Sequence, residues 1–354
     1  MNDYTATTGY KGFHKGMICR GKQYAQNAMF EEPEANIGEN GIHFCNNPFD
    51  VLIHHGFMDR NGELNEFAPV QAFGEVKTGN QRDFYAKKLS IGAKLSFYEF
   101  IEACVKFVTE KKVVAQTVSK ISSKKIDAKV SSKKDSTTVA STGYASKVSS
   151  MGIGSTVSST GDESTVVSAG DNSEVASAGD ESTVVSTGSD SNVASTGRCS
   201  KIVSTGSDSN VASTGDESTV ISMGNTSTVV SEGDKSTAVS TGYNSAVVST
   251  RDKSTIISTG GGTTVVSKGD DCIICCVGGG SCVKAKRGSW ITLIEWKYDE
   301  QRRDNIPILK TEYVDGERIK ADVFYRLKDG EFQEVEKHER FERKILGFDL
   351  GFER

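Results

Sequence analysis

Proline, tryptophan and long apolar runs are all scarce in this chain. Four prolines and two tryptophans occur in 354 residues, against 36 glycines. A chain with that balance makes its turns through glycine and small polar residues. No apolar run reaches the roughly 20 residues that a bilayer-spanning helix needs. The first twelve residues are polar and hold no signal-peptide core. With neither a signal peptide nor a transmembrane segment, the expected location is cytoplasmic or virion-associated. Net charge is also nearly absent, at -5 from 42 basic and 47 acidic side chains. That excludes a global attraction for nucleic acid. Eight cysteines show no small secreted disulfide framework, which favours a reducing compartment.

What the chain does have is a repeat. From about residue 125 to 286 the chain repeats every nine residues, and glycine holds that position from Gly143, Gly152 and Gly161 through Gly269 and Gly278, with Arg251 the one exception in that series. A unit such as residues 179–187 reads GDESTVVST. A fixed period over this length predicts a solenoid. Within a unit, residues alternate as a short strand should, and the glycine sits where a turn closes it. Glycine is expected there because it takes positive φ without steric cost.

The position before the middle valine holds Glu174, Asn192, Lys201 and Asn210. A narrow core cannot bury those groups unpaired. So Val166, Val175, Val184, Val193, Ile202, Val211, Val220 and Val229 are expected inside, flanked by serines. One unit makes one strand and one turn, so two units are needed to close a coil. Residues 188–196 (GSDSNVAST) recur unchanged at 206–214, two units further on. The outward position after the core valine alternates Val167, Ala176, Val185, Ala194, Val203, Ala212 and Ile221. The expected fold is therefore mainly β, a parallel β-solenoid (β-roll or β-helix) with two units, about 18 residues, per coil. Three-sided coils of three units, about 27 residues, are the competing geometry. About nine coils at ~4.8 Å per strand would span on the order of 40 Å.

Residues 1–108 read as a separate α+β domain, residues 109–286 as the solenoid, and residues 287–354 as a small antiparallel cap with a tail. In the first domain, residues 41–45 (GIHFC) and 70–77 (VQAFGEVK) read as strands. Residues 48–55 read as a helix capped by Asn46 or Asn47. Residues 96–110 read as a helix with one apolar stripe.

Three motifs of that domain carry a resemblance: residues 10–13 (YKGF), 19–21 (CRG) and 41–45. They look like the N-terminal domain of an uncharacterised family from bacteria and their phages. In that family A/S-T-G-D-type repeats often follow. Residues 287–290 (RGSW) and 314–322 (VDGERIKAD) resemble its C-terminal module. The resemblance covers nearly the whole chain and implies no established activity. Residues 41–48 are also similar to the ADP-ribosyltransferase superfamily, where a strand bearing Gly-x-Tyr-Phe precedes a helix after a short polar turn. That resemblance implies NAD as cofactor, with Tyr10 and Gly12 on the first strand and His43 in the tyrosine's place. It also implies a catalytic glutamate, for which Glu75 and Glu99 are the candidates.

Other chemistry is weaker. His54 and His55 are adjacent, so on a helix they point about 100° apart and make poor co-ligands. A metal site there would need His14 or a cysteine brought near, and the sequence alone assigns none. Each repeat turn holds too few carboxylates for the six or more oxygens that calcium takes. Cys272, Cys275, Cys276 and Cys282 invite a zinc reading. But Cys272 and Cys276 fall where the repeat places inward serines, and read as structural thiols. Nine lysines over residues 106–134 have no aromatic interleaving, so they read as a solvated first coil that blocks edge pairing. Asp315-Gly316 and Asp329-Gly330 read as hairpin turns in the cap.

One face of the solenoid carries its own hypothesis. Every second unit places Thr165/Val167, Thr183/Val185, Lys201/Val203, Thr219/Ile221, Thr237/Val239 and Thr255/Ile257 outward. A ranked apolar row of this kind implies an interface, with another copy of the chain as the expected partner. Ice-binding solenoids also rank threonines, but Lys201 interrupts this rank. The functional expectation is a non-enzymatic structural or interaction protein with no cofactor, no membrane contact and no nucleic-acid partner. It self-associates through the solenoid and has a protein-binding N-terminal domain or C-terminal tail. The alternative is an NAD-dependent ADP-ribosyltransferase with the solenoid as spacer.

Overall fold

A computed structural model describes residues 7–37, 41–57, 64–78, 82–110 and 120–335. The C-terminal tail from residue 336 lies outside the described residues. The chain divides into two compact units, residues 1–116 and 117–354.

The first unit is an antiparallel sheet with two helices. Its elements are β1 (Thr7–Phe13), β2 (Ile18–Cys19), β3 (Lys22–Gln23), β4 (Ala28–Glu31), β5 (Ile42–Cys45), α1 (Pro48–His54), β6 (Glu66–Thr78), β7 (Asp83–Ile91) and α2 (Phe97–Glu110). The main sheet runs β4-β7-β5-β1-β6, and β6 also pairs with β7. The pairings β1–β6, β6–β7, β7–β5 and β5–β1 therefore return on themselves, with Gly74 at φ 77 where the β6–β7 register shifts.

Gly9 lets β1 lie against β5, since a Cβ there would stand 2.2 Å from the Cys45 carbonyl oxygen. Asn47 caps α1 by accepting the Phe49 N–H, and Pro48 sits at the first helical position. At α2, Ser96 and Glu99 form a reciprocal capping box: Glu99 accepts from Ser96 N–H, and Ser96 Oγ from Glu99 N–H. Phe67 of β6 stacks on Phe100 of α2 at 3.7 Å, fixing helix to sheet.

The second unit is the solenoid. Four-residue strands such as Thr183–Ser186 pair in parallel with the strands two units away, at the ~18-residue spacing, giving about 10 turns. Two facing sheets result, of 12 and 11 strands once the antiparallel strands at the C-terminal end are included, so the coil is two-sided. Val166, Val175, Val184, Val193, Ile202, Val211, Val220 and Val229 are all buried, at most 1% exposed. The serines on either side of each core valine are buried with them.

The glycine works differently from the expectation. In the turns, the left-handed residue is two positions later: Asn172, Glu181, Asp190 and their non-glycine equivalents have φ of 52–57°. The repeat glycine is needed because the coil below is too close. A Cβ at Gly206 would lie 2.0 Å from the Gly188 carbonyl oxygen, and at Gly179 2.1 Å from that of Gly161. The following Asp or Asn ties the turns together, as when Asp180 N–H donates to Asp162 Oδ1 at 2.9 Å.

At the C-terminal end, strand Trp290–Asp299 stacks in parallel on Ile273–Cys276. Trp290 stands opposite Ile273, one position short of the repeat spacing, and there the repeat ends. Asp304–Tyr313 then pairs with the Trp290 strand antiparallel. The hairpin Phe324–Lys328/Glu331–Glu334 turns at Asp329-Gly330, both at positive φ. Asp315-Gly316 is not a hairpin turn. Asp315 accepts the N–H groups of Glu317 and Ile319, and the strands on either side of this loop do not pair with each other. Val314, Ile319, Tyr325 and Leu327 close the end of the valine core.

Candidate functional site

β5 is a strand, so His43 and Cys45 lie on the same face. Across the β5–β7 pair, Cys45 stands directly opposite Asp83 and His43 opposite Tyr85. The last turn of α1 brings in His54. The result is one cluster. Asp83 Oδ1 lies 2.9 Å from His43 Nε2 and 2.6 Å from His54 Nε2. Cys45 Sγ lies 3.9 Å from the same carboxylate oxygen and 4.0 Å from His43 Nε2. All four ligand-type atoms lie within 4.8 Å of one another.

His55 follows α1 in an extended conformation, φ -133° and ψ 90°, and points to a different set of partners. Its Nε2 approaches Cys19 Sγ at 3.6 Å, and its ring packs edge-on to His14 at 5.2 Å. Between the two histidine groups lies Lys11, only 3% exposed. Its Nζ donates to the His43 carbonyl at 2.8 Å and approaches Cys19 Sγ at 3.6 Å. Gly12 is required beneath His55, because a Cβ there would meet the His55 side chain at 2.8–2.9 Å. A cleft of about 170 Å³ joins these groups and is lined by Tyr10, Gly12, His43, Cys45, His54 and His55 among others.

Burial sets the electrostatics. It pulls His43 down to about 4, against the hydrogen bond to Asp83, which works to raise it. It pulls His55 down to about 3, helped by Lys11 and His14. Burial likewise lowers the Lys11 amine and pushes the Cys45 thiol far up. At neutral pH the site therefore presents neutral His43 and His55 imidazoles and a protonated thiol. That excludes Cys45 as a free thiolate nucleophile in this state.

Residues 7–103 match the family model of a domain of unknown function, DUF7666. The N-terminal unit carries a DUF7666 domain. The repeats lie outside the match, and the match names no activity. No curated protein and no solved structure matches the chain.

In the DUF7666 domain the residues singled out from sequence separate into two groups. Tyr10, Gly12 and His43 converge on the cleft. Glu75 and Glu99 do not. Glu75 sits in the β6 bulge with its side chain exposed beside Lys77, and Glu99 caps α2. Asp83 was missed, since only the β5–β7 register brings it there. Cys45 was legible in hindsight, because His-x-Cys on a strand places both side chains on one face.

On the solenoid, the outward rows of the two sheets differ. Val167, Val185, Val203, Ile221, Val239 and Ile257 are half-buried, with Thr165, Thr183 and Thr219 beside them. In the other sheet, Ala176, Ala194, Ala212, Val230, Val248 and Val266 are fully buried. On the open face the threonine column runs on from Thr255 into Ile273, Trp290 and Tyr313, exposed at 58%, 51% and 41%, while the aliphatic column runs into Cys275 and Thr292. No helix of the described residues is long and apolar enough to cross a membrane.

Proposed function

We propose that the chain is a non-enzymatic structural and interaction protein. Its solenoid self-associates through the open Thr-x-Val row, and its DUF7666 domain is the part that binds a partner. The observation that supports this most is the asymmetry of the two outward rows. One is already buried, while the other leaves six aliphatic residues in line, and the threonine column beside them ends in the exposed Ile273, Trp290 and Tyr313. A row with one apolar side chain per strand spacing fits best against a surface with the same spacing, which a second copy supplies. Trp and Tyr at one end provide the large anchors that dominate interface energetics. The resemblance of the N-terminal motifs and repeats supports a phage or its bacterial host as the setting.

Sedimentation equilibrium of the full chain tests this. The wild type should show concentration-dependent association. The double variant Val185→Lys/Val203→Lys, which leaves the valine core untouched, should sediment as a monomer. A wild type that is monomeric at every concentration removes the reading.

One observation favours the alternative: Tyr10, Gly12 and His43 share a cleft. Against it, no glutamate among the described residues lines that cleft. NAD at millimolar concentration should raise the melting temperature of the full chain if the cleft binds it. The structural reading expects no shift.

A further inference from the structure

The cluster in the DUF7666 domain has the composition and spacing of a metal centre. We propose that His43, Cys45, His54 and Asp83 bind one divalent transition metal ion, with Zn²⁺ the best fit to the donor set. This inference is independent of the self-association reading, because it concerns a different unit and different residues.

Four observations carry it. First, the ligands are delivered by rigid elements. His43 and Cys45 come from one face of β5, Asp83 from the opposing position on β7, and His54 from the end of α1. Second, both imidazoles turn Nε2 toward the same carboxylate oxygen, at 2.9 and 2.6 Å. A cation at the centre would replace the protons now shared there. Third, Zn–N distances near 2.0–2.1 Å and Zn–S near 2.3 Å place tetrahedral donors roughly 3.3–3.7 Å apart. The separations from Asp83 to the other three donors and from Cys45 to His43 run from 2.6 to 4.0 Å, and no pair exceeds 4.8 Å, so the cluster brackets that range. Fourth, charge balances. Binding releases the Cys45 thiol proton to solvent, and thiolate plus carboxylate then neutralise a 2+ ion beside two neutral imidazoles. A thiolate with two imidazoles disfavours Mg²⁺ and Ca²⁺, which take oxygen ligands. Four protein ligands close the coordination shell, so the metal would be structural, clamping α1 to the β5–β7 pair. His55 and Cys19 are not part of it, since they face each other on the far side of Lys11.

Metal titration of the full chain, stripped with a chelator, is the test. One Zn²⁺ should bind per chain and raise the melting temperature. Co²⁺ in its place should give thiolate-to-metal charge-transfer absorption. Cys45→Ser should abolish that absorption. His54→Ala, at a partly exposed helix end, should keep the fold by circular dichroism and weaken binding at least about tenfold. Cys275→Ser, at the cysteine-rich end of the solenoid, should change nothing. The proposal is overturned if the folded wild type takes up no metal. It is equally overturned if the charge-transfer absorption survives Cys45→Ser and disappears with Cys275→Ser.

Discussion

In the solenoid, a buried polar group is a serine whose neighbours one coil up and one coil down are also small and polar. In the DUF7666 domain it is Lys11, Asn47 or Asn65, each with a different partner. The contrast shows what repetition can and cannot do. Identical coils give every position the same surroundings, so they build long uniform faces and a continuous core. They do not gather two imidazoles, a thiol and a carboxylate at one point. That takes the strand register of a non-repeating sheet.

Perturbing each region should sharpen the contrast. The largest effect is expected inside the repeat core. Ile202→Ala should cost about 2–5 kcal/mol, because Ile202 is fully buried. Val203→Ala, its outward neighbour, should leave chain stability nearly unchanged and weaken association instead. Denaturant titration separates the two. Next come two positions of one turn with opposite signs. Gly179→Ala forces a Cβ to 2.1 Å from a carbonyl oxygen and should destabilise by about 1–3 kcal/mol. Glu181→Gly relieves a left-handed residue at φ 54° and should stabilise by about 1 kcal/mol or less. If Gly179 were there for positive φ, those signs would not separate in this way.

Acid should distinguish the two units. His43 and His55 are lowered from 6.5 to about 4 and about 3 in the folded domain. The unfolded chain therefore takes up protons first as pH falls. The stability these histidines contribute is complete above pH 6.5 and is lost as pH falls from 6.5 through the folded values. The described solenoid has no histidine. Thermal melts of the metal-free chain should show the domain's transition falling below pH 6.5 while that of the solenoid holds. The smallest effect separates two serines of one coil. Ser182 Oγ accepts from Ser164 N–H at 3.3 Å, so Ser182→Ala should cost about 1 kcal/mol. Ser186 Oγ is buried without a partner, so Ser186→Ala should be neutral or slightly stabilising.

The two regions also differed in how far the sequence could be read. The inward valines and the two-unit coil followed from the repeat itself, because aligned units show which position tolerates Lys201 or Glu174. The role of the glycine did not follow, since the obstructing carbonyl belongs to the equivalent glycine one full coil away. In the DUF7666 domain, Pro48 and Asn47 announced α1, and the apolar stripe of residues 96–110 announced α2, while the capping role of Glu99 shows only in the structure. The cluster was hidden because Asp83 is 38 residues from Cys45 in sequence. Only the β5–β7 register makes them neighbours. Trp290 was read as part of the cap and proved to extend the open face of the solenoid, because its strand stacks on Ile273 before the cap turns back.

That tryptophan gives the most direct test of the interface. The chain has two tryptophans, so a Trp296→Phe variant leaves Trp290 as the sole indole reporter on the row. Its emission should move to the blue as protein concentration rises, in step with association, and should stay red-shifted in Val185→Lys/Val203→Lys. Solvent-exposed emission from Trp290 at concentrations where the chain is fully associated would contradict the account.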